Sequence, residues 1–175
     1  YNPIVMRLRN IEKPIIGVIN GVAAGAGANI AIACDITFAS EKASFIQSFS
    51  SIGLIPDSGG TFFLPRLIGM QRATAHMFLA DKFTAQKAKE IGMIYEVVEH
   101  EKLQETAFEF AKLLAQRPTK GFGLTKRALN KALTNDLETQ LTVERDLQAQ
   151  ASKTDDNKEG IEAFLEKRKP VFKGK

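Results

Sequence analysis

The chain has 175 residues, of which 44% are hydrophobic and 25% are charged, so it is large enough to bury the core of one domain. Twenty-four Lys and Arg residues stand against 20 Asp and Glu residues, and a net charge of only +4 excludes the basic stripe of a nucleic-acid-binding surface. One cysteine and two histidines exclude a disulfide framework and a zinc site of ordinary spacing, so we expect a cytoplasmic protein without a metal.

Neither secretion nor a membrane location is expected. No basic segment followed by an apolar one stands at the start, as a secretory signal requires. Residues 15–34 form a run of twenty without a charge, but four glycines and two asparagines interrupt it. Because these residues favour turns, we expect a strand, a turn and a buried helix there.

The first part of the chain has the pattern of an α/β protein. Asn2-Pro3 is typical of a helix start, and residues 15–19 are apolar and mostly β-branched, as in a strand buried on both faces. The sequence predicts a helix from Asn2 that ends before Pro14, a strand at 15–19, a turn at Asn20-Gly21, a helix from Gly25 to Ala33 and a strand at 35–39.

After Asp57 the pattern becomes that of amphipathic helices. It predicts helices at 70–80, 84–91, 102–116, 120–134, 136–152 and 155–167, with a short strand at 93–98. The sequence therefore predicts an α/β portion at 1–68 and a mainly helical portion at 69–175 that suits packing or assembly.

The glycine-rich segment at 21–30 follows a strand and opens a helix, as a dinucleotide-binding loop does. Gly25 and Gly27 supply two glycines of that fingerprint, but Ile30 replaces the third, and no acidic residue stands near Ser48. Unobstructed N–H groups at this helix start could stabilise an enolate or thioester oxyanion. Close packing of a helix made of small residues is the alternative.

Asp57 is the second candidate, since it lies between the apolar run 52–56 and Ser58-Gly59-Gly60. A carboxylate desolvated there would suit proton transfer. An N-cap for a helix that starts near Ser58 is the alternative. The other serines have no neighbouring histidine, Cys34 fits a core position, and the basic tail at 166–175 is either solvated surface or a contact for a phosphorylated ligand.

Taken together, several segments resemble the crotonase superfamily, the enoyl-CoA hydratases and isomerases. They are residues 13–21, 25–27, 33–35, 55–61, 84–88 and 164–172. The resemblance implies that 1–68 form part of a ββα spiral core that binds acyl-CoA, and that 69–175 form a helical region for trimerisation and CoA contacts. It also implies a homo-trimer, or a hexamer made of two trimers, and no separate cofactor, because coenzyme A is part of the substrate.

In this family further strands, much of the adenine pocket and the first oxyanion donor precede the position of Tyr1. We therefore expect the chain to be part of a longer polypeptide. The resemblance assigns the second oxyanion donor to the backbone N–H of Ala26. The two glutamates of the hydratases fall at Asn29 and Phe49, so hydration is not expected.

The resemblance further implies that Asp57 is the catalytic carboxylate of an acyl-CoA isomerase. Such an enzyme would act through a thioester enolate, on a ring epoxide of phenylacetyl-CoA in phenylacetate degradation or on an enoyl double bond. The implied substrate-binding residues are Val22, Gly25, Asn29, Phe49 and Ile52, and Phe164 and Lys167 would reach the CoA of a neighbouring subunit. A hydratase, a dehalogenase with Asp57 as nucleophile and a non-catalytic CoA-binding protein are the alternatives.

Overall fold

The computed structural model describes residues 1–175, which divide into two compact units. The first consists of Tyr1–Arg9 and Ile15–Phe108, and the second of Asn10–Pro14 and Glu109–Lys175. The helices are α1 (Asn2–Asn10), α2 (Ala26–Ala33), α3 (Gly60–Ile68), α4 (Met70–Leu79), α5 (Ala85–Glu90), α6 (Leu103–Ala115), α7 (Thr119–Ala132), α8 (Leu137–Ala151) and α9 (Asp155–Leu165). The strands are β1 (Ile16–Ile19), β2 (Val22–Ala24), β3 (Ile36–Ser40), β4 (Ser44–Ile46), β5 (Lys82–Thr84) and β6 (Glu96–Val98).

Six strands of the first unit form two small sheets. One sheet has the order β1-β3-β6 with all strands parallel. In the other, β2 pairs with β4 in parallel and β4 pairs with β5 antiparallel. Since β5 and β6 lie beyond residue 68 yet pair with earlier strands, the predicted division at that residue falls inside the first unit.

The predicted helices are present, and α1 ends at Asn10, well before Pro14. Strands β2, β4 and β5 are absent from the sequence prediction because three residues are too few for a periodic pattern to show. β2 occupies the interval between the predicted turn and the glycine-rich helix start, so the chain enters α2 directly from a sheet. This places the start of α2 beside β4.

The core of the first unit forms around α2, β4 and α3. Ala28, Phe45 and Leu64, one from each of these elements, are completely buried. The small side chains of α2 allow close approach of neighbouring backbone, since the Thr37 hydroxyl reaches the Ala31 carbonyl at 2.7 Å. Burial of a phenylalanine such as Phe45 contributes about 2 kcal/mol, and the close packing of small residues rigidifies the start of α2.

The second unit is helical, and α7 packs against α8. Glu12 accepts hydrogen bonds from Lys120 at 3.0 Å and from Arg127 at 3.3 Å. The Lys120 ammonium lowers the pKa of Glu12 below its ordinary value, although the pair is too exposed to add much stability. Neither unit contains a helix whose length and apolar character would let it cross a membrane.

Candidate active site

The start of α2 leaves a backbone donor free. Gly25 precedes the helix with φ 52° and ψ −121°, a conformation that side chains rarely adopt, and its N–H bonds the Ile46 carbonyl at 2.9 Å. No side chain caps the helix. The N–H of Ala26, in the first helical position, therefore keeps the free donor that a helix start provides.

Phe49 lies against this helix start. A Cβ at Gly25 would be 3.6 Å from Phe49 Cζ and 3.2 Å from Ser48 Oγ, so both side chains border the glycine. Phe49 is only 7% exposed. The position assigned to a hydratase glutamate is thus filled by a buried aromatic side chain.

Asp57 begins a tight turn that leads into α3. The Gly60 N–H donates to the Asp57 carbonyl at 2.8 Å, and both central residues, Ser58 and Gly59, have positive φ, as in a mirror-image β-turn. The Ser58 hydroxyl donates to Oδ1 of Asp57 at 2.8 Å. The N-cap interpretation of Asp57 is wrong, because α3 begins at Gly60 and its cap is Gly59, without a side-chain bond.

The amide of Asn29 connects the two segments. Its Nδ2 donates to the Asp57 carbonyl at 2.9 Å, and its Oδ1 accepts from Nε2 of Gln47 at 2.8 Å. Asn29 and Gln47 are fully buried. A Cβ at Gly60 would be 2.7 Å from Asn29 Oδ1, so only glycine permits this approach. Asn29 thus joins the first turn of α2 to the Asp57 turn through interior contacts, and not through an exposed surface that a substrate could touch.

The expected desolvation of Asp57 is not observed. Its side chain is exposed, because the turn directs it away from the packed core. Two of the apolar side chains predicted to contact a substrate are also exposed, Val22 at 64% and Ile52 at 73%, and so is Ile55 at 81% in the loop before Asp57. Only Phe49 of this group is buried. The carboxylate and the apolar side chains therefore form an open surface.

Phe164 and Lys167 lie at the end of α9 in the second unit. Phe164 is 82% exposed and borders a cavity of about 490 Å³ lined also by Gly160 and Phe172. Two nitrogens of Arg168 bind Glu159 at 2.6 and 3.0 Å, and this guanidinium, with the backbone N–H of residue 171, lowers the pKa of Glu159 to about 2. This ion pair ties the residue that follows Phe164 and Lys167 back to α9.

Other polar candidates do not form a catalytic arrangement. His100 contacts Ser40 at 2.9 Å, but Ser40 is completely buried in β3 and its hydroxyl also accepts from the Lys42 N–H. Cys34, the C-cap residue of α2, donates to the Ile30 carbonyl at 3.5 Å and is half-buried, so it does not occupy the core position expected from the sequence. The contact between Ser40 and His100 could not have been found from spacing, since the residues are sixty positions apart.

Two residues of this site, Gln47 and Ser58, were not assigned a role from the sequence. Gln47 is a buried amide after a three-residue strand, and nothing in its neighbourhood marks it as the partner of Asn29. Ser58 has no neighbouring histidine that would indicate a nucleophile. Its position directly after the acidic candidate and before two glycines was the available signal.

Comparison with known proteins shows the family to which the chain belongs. The family model for enoyl-CoA hydratase/isomerase matches residues 1–175. A 1,2-epoxyphenylacetyl-CoA isomerase from Escherichia coli K12 is 50% identical over the whole chain, which covers 67% of that relative. A trans-2-decenoyl-[acyl-carrier-protein] isomerase from Streptococcus mutans is 37% identical over 99% of the chain and 66% of the relative.

Solved structures give the same result. An enoyl-CoA hydratase from Bacillus anthracis superposes with a TM-score of 0.93 at 36% identity, over 98% of this chain and 66% of that one. The chain thus spans about two thirds of the length of the proteins it matches. It has the crotonase fold and belongs to the enoyl-CoA hydratase/isomerase family.

Proposed function

We propose that the protein is an acyl-CoA isomerase in which Asp57 moves a proton along a conjugated acyl chain. The Ala26 N–H binds the thioester oxygen and stabilises the negative charge that develops there. Asp57 removes a proton from C2 of a 3-enoyl thioester to give a dienolate, and returns that proton to C4. The double bond moves from the 3,4 to the 2,3 position, and no atom is gained or lost.

One observation carries this proposal. The Asn29 side chain binds the Asp57 backbone at 2.9 Å, and Asn29 lies three residues after Ala26 on the same helix. An oxyanion donor and a carboxylate therefore belong to one connected structure. Their spacing cannot vary freely, because both Asn29 and the turn that begins at Asp57 are anchored in the buried core.

The number of acidic side chains near the site favours isomerisation over hydration. Asp57 is the only acidic residue between positions 42 and 80, and the two positions of the hydratase glutamates hold the uncharged Asn29 and Phe49. Addition of water needs a group that activates the water and one that supplies a proton, whereas a proton shift needs one group that does both in turn. A single carboxylate suffices for the second reaction.

The exposed apolar side chains of Val22 and Ile52 favour an aromatic or long acyl group, which would cover Asp57 on binding. The relative named for 1,2-epoxyphenylacetyl-CoA supports a ring epoxide as one substrate. For that substrate the same oxyanion donor would polarise the thioester while Asp57 assists the rearrangement of the C–O bond.

We further propose that Phe164 and Lys167 contact the CoA moiety bound by a neighbouring subunit of a trimer or hexamer. The exposed Phe164 ring, the adjoining cavity and the basic tail fit an adenine and its phosphates. Replacement of Phe164 by alanine should raise the KM for acyl-CoA several-fold with kcat unchanged. Native mass spectrometry in the same experiment reports the number of subunits.

The proposed function is tested by Asp57→Asn. We expect kcat for a 3-enoyl-CoA and for the phenylacetyl epoxide to fall by about 10²- to 10⁴-fold, because the amide cannot accept the proton. Asp146→Asn, at an exposed aspartate of α8 paired with Arg145, is the control and should leave kcat unchanged. Unchanged turnover by Asp57→Asn would contradict the proposal. Hydration products would indicate a hydratase, and halide release from an aryl-halide thioester a dehalogenase.

A further inference from the structure

Ser58 occupies an unusual position next to the proposed catalytic carboxylate. Its side chain is 3% exposed, although Asp57 directly before it is exposed. Its hydroxyl donates to Oδ1 of Asp57 at 2.8 Å, a distance typical of a strong O–H···O bond. The hydroxyl is therefore buried behind the carboxylate, and a ligand arriving at Asp57 from the solvent side could not reach it.

The backbone of Ser58 is strained to make this contact. Its φ is 51°, and only two other non-glycine residues, Ala80 and Lys167, have positive φ. Glycine would adopt this conformation at no steric cost, whereas serine costs about 1 kcal/mol. Strained residues that persist next to a reactive group often serve its function. The next residue of the turn, Gly59, also has a positive φ and is a glycine. At position 58 a serine stands where glycine would fit more easily, so we ask what its side chain contributes.

We propose that Ser58 is a positioning residue: its buried hydroxyl holds the Asp57 carboxylate in one orientation, with Oδ1 engaged and Oδ2 directed to the substrate. This inference rests on the proposed function of Asp57. An exposed aspartate that lacked this bond would rotate about its side-chain torsions. A single bond to one oxygen removes that freedom and leaves the other oxygen as the proton acceptor.

The position of the turn supports this assignment. The Asp57 carbonyl accepts from the Gly60 N–H and from Asn29, so the backbone that carries the carboxylate is fixed on two sides. The Ser58 hydroxyl then fixes the side chain. The backbone and the side chain of Asp57 are thus held by separate contacts. The bond from the Ser58 hydroxyl can be removed while the backbone bonds from Gly60 and Asn29 remain.

Two substitutions separate the hydroxyl from the backbone strain. Ser58→Ala removes the hydroxyl and keeps the strain, whereas Ser58→Gly removes both. If the hydroxyl orients Asp57, both variants lose about tenfold in kcat with KM within twofold, although Ser58→Gly is the more stable to denaturant. Ser152→Ala, which removes a hydroxyl bound to the Ala149 carbonyl in the second unit, is the matched control and keeps full activity.

A double-mutant cycle tests whether Ser58 acts through Asp57. In the Asp57→Asn background, Ser58→Ala should lower residual C2 proton exchange, measured by mass spectrometry in D2O, by less than twofold. A further tenfold loss there would overturn the inference, as would full kcat in Ser58→Gly. Full activity of Asp57→Asn alone would instead contradict the proposed function, so the two failures are distinguishable.

Discussion

Helices α2 and α9 begin in opposite ways. At α9 the Thr154 hydroxyl accepts from the Asn157 N–H at 3.1 Å, and Asp155 and Asp156 occupy the first turn. At α2 a glycine precedes the helix, no side chain caps it and the first turn carries no acid. The side-chain cap binds one of the free N–H groups and stabilises the helix, whereas the glycine start leaves its first donor for a ligand.

This contrast shows that the start of α2 is stabilised from its surroundings. The N–H of Gly25 bonds β4, the helix packs in the core, and Asn29 connects its first turn to Gln47 and to the Asp57 turn. The donor at Ala26 is held in place by contacts that do not use it. The same is true of Asp57, whose backbone is bound while one carboxylate oxygen has no partner in the protein.

Among changes at the two helix starts and the contacts around them, the largest effect should follow from Gly25→Ala. The new Cβ would lie 3.2 Å from Ser48 Oγ, in a backbone conformation that alanine adopts only at a cost of about 1–3 kcal/mol. Relief of that strain would move the Ala26 N–H, so we expect at least a hundredfold loss of kcat. Steady-state kinetics measures kcat, and a denaturation curve on the same sample measures stability. A folded variant with wild-type kcat would contradict the oxyanion role of the Ala26 N–H.

Asn29→Asp should have the next largest effect. The change keeps the shape and the acceptor for Gln47, but replaces the donor to the Asp57 carbonyl with a second oxygen, which costs about 2 kcal/mol of stability. The matched control is Asn157→Asp, since the exposed Asn157 also donates through Nδ2 to a carbonyl, that of Ser152. We expect the control to change stability by less than about 0.5 kcal/mol. Equal urea midpoints for the two variants would show that Asn29 does not anchor the turn.

Thr154→Ala should cost about 1 kcal/mol, because it removes the side-chain cap of α9. The kcat should not change, since α9 contributes no group to the reacting atoms in our account. Urea denaturation and the isomerase assay on the same sample provide the comparison. A loss of kcat that exceeds the loss of folded protein would mean that the two helix starts do not differ in function as we describe.

The smallest effect concerns pH. Arg168 lowers the pKa of Glu159 to about 2, from an ordinary value of 4.5, so the folded state favours the ionised carboxylate. That contribution is present above pH 4.5 and is lost as the pH falls toward 2. Glu159→Gln should therefore be less stable than the parent at pH 7, and the difference in urea midpoint should shrink below pH 4. A difference independent of pH would exclude the ion pair as its cause.

The sequence predicts the long elements better than the site. The amphipathic helices α6 to α9 follow from the period of their apolar residues, and the helix predicted at 84–91 is α5, whose N-cap Thr84 accepts from the Lys87 N–H. Strands of three residues leave no comparable pattern. Their pairing, and with it the position of Gln47, depends on contacts between residues far apart in the chain.

The exposure of Asp57 shows a second limit. The apolar run before it predicted a desolvated carboxylate, but Ile52 and Ile55 point outward and leave Asp57 exposed. Apolar residues in a short loop without periodicity do not indicate which side chains face inward. The positive φ of Ser58 was equally hidden, because serine is not a residue from which a left-handed conformation is expected.

The proton transfer assigned to Asp57 is tested by following one hydrogen atom. The protein and its Asp57→Asn variant are incubated with a 3-enoyl-CoA in D2O, and NMR locates deuterium at C2 and C4. We expect the parent to exchange the C2 hydrogen and to deliver part of the original C2 hydrogen to C4, because one carboxylate carries it. The variant should lose the exchange at C2. Exchange at C2 by the variant at the parental rate would contradict the role of Asp57.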